Sequence, residues 1–425
     1  MPAICLYFQV HQPYRLRRFR VFDIGADVPY FDDTLNQEIL ARVAAKCYVP
    51  TNRLLARLIE ESDGAFRVAM STSGTLLEQV TSGAPEVLAS FRQLVATGGV
   101  EMLGETDCHS LAALADTDEF IAQVHAHRVR IEELFGQRPR VFRNTELIFV
   151  DAIASTVRDL GFTAVLLEGA PHVLGWRDPT YVYESAVAPG LRLLTRHFRL
   201  SDDVAFRFSA RGWASWPLDA DTFAEWLAAT PGQCINLFMD YETFGEHQWA
   251  ETGIFEFLAH LPRACRARGL TFAHPSELAG LPASDRLSVA RPTSWADQER
   301  DVSAWLGNGL QRAAHARIYN LRPLILQTGD AALYHRWQRL TTSDHFYYMA
   351  TKGQSDGEVH AYFNAYSSPY DAFVRFMNIA QDIEQTARRL PPRAPAVGPP
   401  ASPLSLLDSA GSMGSMAMPG VQRPA

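Results

Sequence analysis

The chain reads as an α/β protein, a parallel sheet covered by helices and nearer a barrel than an open sheet, with a helical region after it. Three observations predict this. From Met1 to about Leu281, short β-rich runs alternate with longer helix-like stretches, the pattern of parallel strands joined by helical crossovers. Several apolar runs end abruptly in acids, asparagine or histidine, as buried parallel strands do where they open onto loops. After Arg291-Pro-Thr the strand-like runs cease.

Taken in order, the first strand is read at Ile4 to Val10 and runs into His11-Gln12-Pro13. Further strands are read at Phe66 to Ser71, Val100 to Gly104, Arg140 to Thr145, Ala164 to Leu167, Leu191 to Phe198, Ile235 to Met239 and Thr271 to Ala273. Each is rich in β-branched, aromatic or aliphatic residues and bounded by polar or turn residues. Between them, Asn52 to Glu61, Ala84 to Thr97 and Thr117 to Phe135 carry helical periodicity, and Leu147 to Leu160 reads as the start of a helix. The stretch Leu191 to Phe208 fits one strand, a hairpin or an excursion. Beyond Arg291, three segments read as amphipathic helices: Trp295 to Arg317, Tyr319 to Leu340 and Pro369 to Arg389. From Pro391 onward the chain is rich in Pro, Ala, Gly and Ser, too poor in apolar surface to order itself.

At 425 residues the chain is long enough for a barrel-sized domain plus a smaller one. Apolar residues make up 47% and charged residues 20%, with a net charge of -8, so there is no polycationic surface for nucleic acid. Five scattered cysteines (Cys5, Cys47, Cys108, Cys234, Cys265) form no CxxC pair, which argues against a disulfide framework and for a reducing, cytoplasmic setting. No apolar stretch reaches membrane-spanning length and no basic leader precedes the first strand, so neither a membrane partner nor an export signal is expected. No glycine-rich phosphate loop occurs, so nucleotide dependence is not expected.

Five clusters carry the chemistry: His11-Gln-Pro13; Gly99-Val-Glu101 running to Glu105-Thr-Asp107-Cys-His109; Asn144-Thr-Glu146; Asp240-Tyr-Glu242 with Glu246-His247; and Trp295-Ala-Asp297-Gln-Glu299. Four lie at predicted strand ends, where parallel α/β folds build their sites. Two carboxylates delivered from two strand ends suit cleavage of a glycosidic bond, which needs one group to protonate the leaving oxygen and one to act at the sugar carbon. Phe238, Met239, Tyr241 and Phe244 around Asp240 are candidates for an apolar wall that keeps it protonated, and Arg143 and Asn144 are candidate donors to Glu146. Glu242, two residues on, faces the same side of an extended chain as Asp240. Sugar rings stack on aromatic faces, and Trp295 is the leading platform, with Trp213, Trp216, Tyr241 and Trp249 behind it. Trp305 and Trp337, at helical spacing, read as core. A metal-dependent deacetylase is a rival reading, but His125 and His127 point to different faces of one helix. Only Glu105 to His109 offers an acid and histidine cluster.

The order and wording of these clusters resemble the five sequence regions of glycoside hydrolase family 57, which acts on α-glucans. His11-Gln-Pro13 resembles the first region and Gly99-Val-Glu101-Met-Leu-Gly104 the second. Asn144-Thr-Glu146 resembles the third, Phe238-Met-Asp240-Tyr-Glu242-Thr-Phe-Gly245 the fourth, and Thr293-Ser-Trp295-Ala-Asp297-Gln-Glu299-Arg-Asp301 the fifth. The resemblance implies an incomplete (β/α)7 TIM-like barrel over residues 1–285, an α-helical domain over 286–390 that helps close the site, and a tail over 391–425 outside both. It implies a retaining, α-amylase-like hydrolase of α-1,4-glucans, with Glu146 as nucleophile and Asp240 as general acid/base, and no metal or cofactor. His11, Gln12, Glu101, Trp213, Tyr241, Glu242, Trp295 and Asp297 are expected to bind substrate. A 4-α-glucanotransferase or branching enzyme would use the same double displacement, and a non-catalytic α-glucan-binding homologue would keep the fold without the reaction.

Overall fold

A computed structural model of the chain describes residues 1–352 and 364–391; the tail expected over 391–425 lies almost wholly outside the described residues. Ten strands run in chain order: β1 (Ala3–Val10), β2 (Val68–Thr72), β3 (Val100–Met102), β4 (Val141–Arg143), β5 (Ala164–Glu168), β6 (Val182–Ser185), β7 (Arg192–Arg196), β8 (Cys234–Asp240), β9 (Thr271–Phe272) and β10 (Asp285–Leu287), among the described residues. They form two sheets, β3-β2-β1-β8 with β9 on β1, and β10-β6-β7-β5-β4. Every pairing is parallel except that of β6 with β7.

The two sheets meet at two seams. At the first, Gly104 N–H donates to Val141 O (2.9 Å) and Arg143 N–H to Gly104 O (2.8 Å), a single parallel bridge from the end of β3 to β4. At the second, His197 N–H donates to Asn236 O (2.8 Å), while side chains replace the remaining ladder partners. Asn236 Nδ2 donates to Thr195 O (2.8 Å), Arg196 Nε to Phe238 O (2.8 Å), and Phe238 N–H to Ser201 Oγ (3.2 Å). The ring β1, β2, β3, β4, β5, β7, β8 therefore holds seven parallel strands with interrupted seams, the incomplete barrel that the resemblance implied.

The ring encloses a small apolar core that includes Tyr7, Ala69, Leu103, Val141, Leu166, Leu194 and Phe238. A larger core lies under the helices Val49–Glu61, Pro85–Ala96 and Ile254–Ala267. A third joins the barrel's other flank to the helical region: Phe142, Ile148, Val165 and Leu193 share one cluster with Trp305, Trp337, Phe346 and Phe376. Trp305 and Trp337 are buried core residues, as their helical spacing indicates.

The expected strands are present with shifted ends. Leu191 to Phe208 resolves into β7 followed by a helix, Phe198–Ala205. β6 and β10 were not foreseen, because strands of four and three residues are too short to show a period. The helix expected from Trp295 does not begin there. Asp297 and Arg300 adopt left-handed backbone (φ 54 and 52), and Ser294 Oγ and Asp301 Oδ1 accept from the main-chain N–H of Ala296 and Ser303, local bonds that compete with a helix. Helix resumes at Ser303–Leu306 and Gly309–Asn320. Tyr319 to Leu340 is likewise split, into Arg322–Thr328 and Ala331–Arg339, by Gly329 at φ 60. Pro369–Arg389 is one helix, as read.

Candidate active site

The carboxyl ends of the ring strands deliver polar groups to one mouth. His11 follows β1, Ser73 follows β2, Glu105 and His109 follow β3, and Glu146 follows β4, while Glu168, Arg196 and Asp240 end β5, β7 and β8. Two pockets of about 510 Å³ each open at this mouth, and Glu146, Asp240, His247 and Trp295 line both. One pocket continues past Arg196, Ala205, Phe206, Met239, Thr243 and Ala296. The other is walled mainly by residues with polar side chains, Gln9, His11, Gln12, Arg15, His109, Glu242 and, from the helical region, Asp344 and Tyr348.

Glu146 sits in a short 3-10 turn, Thr145–Leu147, with φ 57 and ψ 26. A non-glycine residue there is strained, and such strain persists only where surrounding contacts over-determine it. Those contacts are visible. Trp295 Nε1–H donates to Glu146 Oε2 (2.7 Å), His109 Nε2 lies 3.2 Å from Oε1, and Ser343 Oγ donates to Oε1 (3.4 Å). The expected donors are others: Asn144 Nδ2 donates to Ile148 O, and the Arg143 guanidinium lies over the Trp295 ring at 4.8 Å. Arg143 is fully buried and none of its three nitrogens finds a hydrogen-bond partner, so its charge is felt at the site without a fixed pairing.

Around Asp240 the expected apolar wall is mostly turned away. Phe238 points into the ring against Tyr7 (5.5 Å), and Tyr241 and Phe244 pack on Phe8. Met239 alone of these lines a pocket. Glu242 follows in the turn Tyr241–Thr243, and Tyr48 O–H donates to its Oε1 (2.5 Å). Burial and then the Asp240 charge push the Glu242 carboxyl up to about 8, against the Tyr48 bond that lowers it.

His11 bridges the two parts of the chain, with Nδ1 2.7 Å from Ser73 Oγ and Nε2 2.9 Å from Asp344 Oδ2. Its ring stacks on His109 at 4.0 Å. Burial and the neighbouring His109 lower its pKa, opposed by Asp344. His109 behaves oppositely. Burial would lower it, but hydrogen bonds and charge from Glu105 and Glu146 prevail and raise it to about 9.

Of the expected substrate residues, His11, Gln12, Glu242 and Trp295 line the pockets with Glu146 and Asp240. Four others line neither pocket and are engaged elsewhere. Glu101 accepts from Ser276 N–H (3.0 Å) at the start of the helix Pro275–Leu278, below the mouth. Tyr241 is fully buried, its hydroxyl donating to Asn52 Oδ1 (2.6 Å). Trp213 packs edge-on to Trp226 at 6.1 Å. Asp297 pairs with Lys352 Nζ (2.6 Å), and only its neighbour Ala296 reaches a pocket. Asp344, Tyr348, Ser343, Arg196 and Phe206 were missed; nothing local in the sequence sets these positions apart. Glu105 and His109 were noticed as part of one of the five clusters, with no role given beyond a disfavoured metal reading. In the structure Asp107 is instead engaged by Arg130 (2.9 Å to each carboxylate oxygen).

A barrel whose strand ends gather acids, histidines and an indole around paired pockets defines an enzyme-type site rather than a structural mouth. The chain belongs to glycosyl hydrolase family 57: the family's sequence profile matches residues 5–289. A Methanocaldococcus jannaschii protein named "Putative alpha-amylase" is 44% identical over 407 residues, covering 91% of this chain and 85% of that protein. Among solved structures, a family 57 branching enzyme of Thermococcus kodakaraensis matches with a TM-score of 0.62 at 13% identity, over 95% of this chain and all (100%) of that one. A 4-alpha-glucanotransferase of Thermococcus litoralis matches with a TM-score of 0.62 at 13% identity over 81% of this chain, which spans 56% of that protein's length. At such identities these two speak for the fold alone.

Proposed function

We propose that the protein is a retaining glycoside hydrolase of α-1,4-glucans, with Glu146 as nucleophile and Asp240 as general acid/base. The observation that carries this reading is that both carboxylates line both pockets, so a chain laid from one pocket to the other would place a glycosidic bond beside both groups. Asp240 then protonates the glycosidic oxygen while Glu146 attacks the anomeric carbon, and Asp240 next takes a proton from water as it breaks the glycosyl ester. The donors on both Glu146 oxygens support the nucleophile's role by holding its charge and direction. Membership of family 57 and the name of the 44% identical relative support the substrate class.

The same covalent intermediate serves transfer if a sugar hydroxyl replaces water. The pocket lined by Phe206 and Met239, which offers apolar surface to an incoming ring, favours transfer as the second reading. No helix of the described residues is long and apolar enough to cross a membrane, and all five cysteines are buried and unbridged, a usage that supports placing the protein in the reducing cytoplasm.

Maltoheptaose incubation tests the assignment. Shorter products with new reducing ends are expected, together with some products above the starting length if transfer competes. Glu146→Gln and Asp240→Asn should each lower kcat by at least about 1,000-fold, the scale seen when a residue of a catalytic unit is removed. Wild-type activity in either variant would overturn the assignment. Glucan binding without any turnover of the wild-type chain would favour a binding homologue instead.

A further inference from the structure

Behind the pockets lies a second layer of polar groups that the reaction as written does not use. Glu105 is fully buried and lines neither pocket. Its carboxylate receives Gln9 Nε2 at 3.3 Å on each oxygen. Gln9 is oriented for this, because its Oε1 accepts from Tyr7 O–H and Ser71 Oγ–H, both at 2.8 Å, leaving the amide NH₂ toward Glu105. The Glu105 main-chain N–H donates to His127 Nδ1 (3.2 Å), and the other nitrogen of His127 faces Thr72 O (3.0 Å). His127 Nε2 also stands 3.9 Å from Glu105 Oε1, and the nearer partner left for Glu105 is His109, whose Nδ1 lies 3.1 Å away. The far nitrogen of that ring reaches Glu146.

We propose that Glu105 is a positioning residue that acts through His109 to hold the Glu146 carboxylate aimed at the sugar carbon. The inference rests on Glu146 being the nucleophile. Its physical content is that a neutral imidazole can donate from one nitrogen only. Serving both carboxylates requires the doubly protonated ring, and the second buried carboxylate secures that state. Both ends of the inner bond are strained, His109 at φ 49 and Glu146 at φ 57, so the chain of bonds also helps hold two unfavourable backbone conformations. The groups facing His109 are Glu105 on its own loop, Glu146 after β4, and His11 after β1 with Asp344 behind it. Asp240, Glu242, His247 and Arg15 stand across the polar pocket. Of the acids, only Glu105 and Glu146 have their carboxylate oxygens within hydrogen-bond reach of the ring in the contacts described.

The test uses the full chain with maltoheptaose and ¹⁵N-histidine NMR. In the wild type, the resonances assigned to His109 by their loss in His109→Gln should show both nitrogens protonated at pH 7.5. Glu105→Gln, which keeps the shape and removes the charge, should move the His109 midpoint down by at least one pH unit. It should also lower kcat on the order of 10- to 100-fold, with KM within about twofold. Combined with His109→Gln, Glu105→Gln should add no further loss, since both act along one line. A neutral His109 in the wild type, a wild-type kcat in Glu105→Gln, or losses that multiply in the double variant would each overturn the proposal. The wild-type NMR experiment, with His109 assigned from His109→Gln, stands even if Glu105→Gln misfolds. Glu146→Gln run alongside separates the two failures: if it stays active, the nucleophile assignment falls, and if it is inactive while Glu105→Gln is normal, only the relay falls.

Discussion

Glu242 is a carboxyl that burial keeps protonated at neutral pH, one step from the proposed acid. Its folded-state pKa of about 8 stands above the ordinary value of 4.5. The folded protein therefore holds a proton that the unfolded chain releases, and stability falls as pH rises from about 4.5 through about 8. A shift of this size corresponds to a few kcal/mol, at roughly 1.4 kcal/mol for each pH unit. Glu242→Gln mimics the protonated form and keeps an acceptor for Tyr48, so its Tm should exceed that of the wild type by several degrees at pH 8 and match it near pH 4.5. Thermal melts across that window check this, and a pH-independent difference would mean that Glu242 is charged at neutral pH. His109 follows the same sign. Its raised pKa makes its contribution full below about 6.5, and that contribution is lost as pH rises through about 9.

Two elements decide how the Asp240 loop is held. The five-residue π-helical segment Ala44–Tyr48 lies against the turn after β8, where Cys47 Sγ–H donates to Tyr241 O (3.2 Å) and Tyr48 reaches Glu242. Such π segments re-aim side chains within otherwise regular helices, and they recur at functional sites. Gly245 makes the close approach possible. It adopts φ 107, and a Cβ there would lie 2.0 Å from Lys46 O. Gly245→Ala should therefore cost more than about 2 kcal/mol and lower kcat by displacing Glu242 and His247; unchanged urea midpoints would contradict this packing. The second element is the helix Phe198–Ala205, which ends at Phe206, a side chain 40% exposed that lines the pocket away from His11. Phe206→Ala should reduce the ratio of transfer to hydrolysis products from maltoheptaose several-fold while leaving the rate of bond cleavage within about threefold, because a lost stacking contact amounts to roughly 0.5 to 1.5 kcal/mol. Equal loss of both products would place Phe206 on the donor side.

At the scale of the molecule, the barrel and the helical region are one cooperative unit. Phe142, Val165 and Leu193 share a buried cluster with Trp305, Trp337 and Phe346, and the polar pocket is completed only by Asp344 and Tyr348. The hydrogen bond between His11 and Asp344 spans 333 positions of sequence. Scanning calorimetry should therefore give one unfolding transition rather than two, since an interface built as a shared core does not melt separately. Two resolved transitions would mean that the helical region folds and opens by itself.

The alternation of apolar runs and helical periods was enough to determine a parallel α/β fold with a helical region after it, the incomplete barrel itself being implied by the resemblance of the motifs, and the acids at the ends of β4 and β8 marked Glu146 and Asp240 as a pair. These signals are local: strand burial shows as uninterrupted apolar sequence, and a strand end shows as a sudden change to polar residues. The same locality explains why some expected residues lie away from the pockets. Glu101, Tyr241 and Trp213 have the right chemistry near the right motifs, but their directions are fixed by Ser276, Asn52 and Trp226, partners on other elements. Asp344 and Ser343 lie in a helical stretch with no motif, and Arg143 stands beside Glu146 in sequence yet lies over Trp295. Which carboxylate is charged, which histidine carries two protons and which side chains meet depend on burial and on distances across the mouth. Only the closure of seven strands into one ring sets these, because it brings the ends of β1, β3, β4 and β8 together with a helix more than three hundred residues from the first of them.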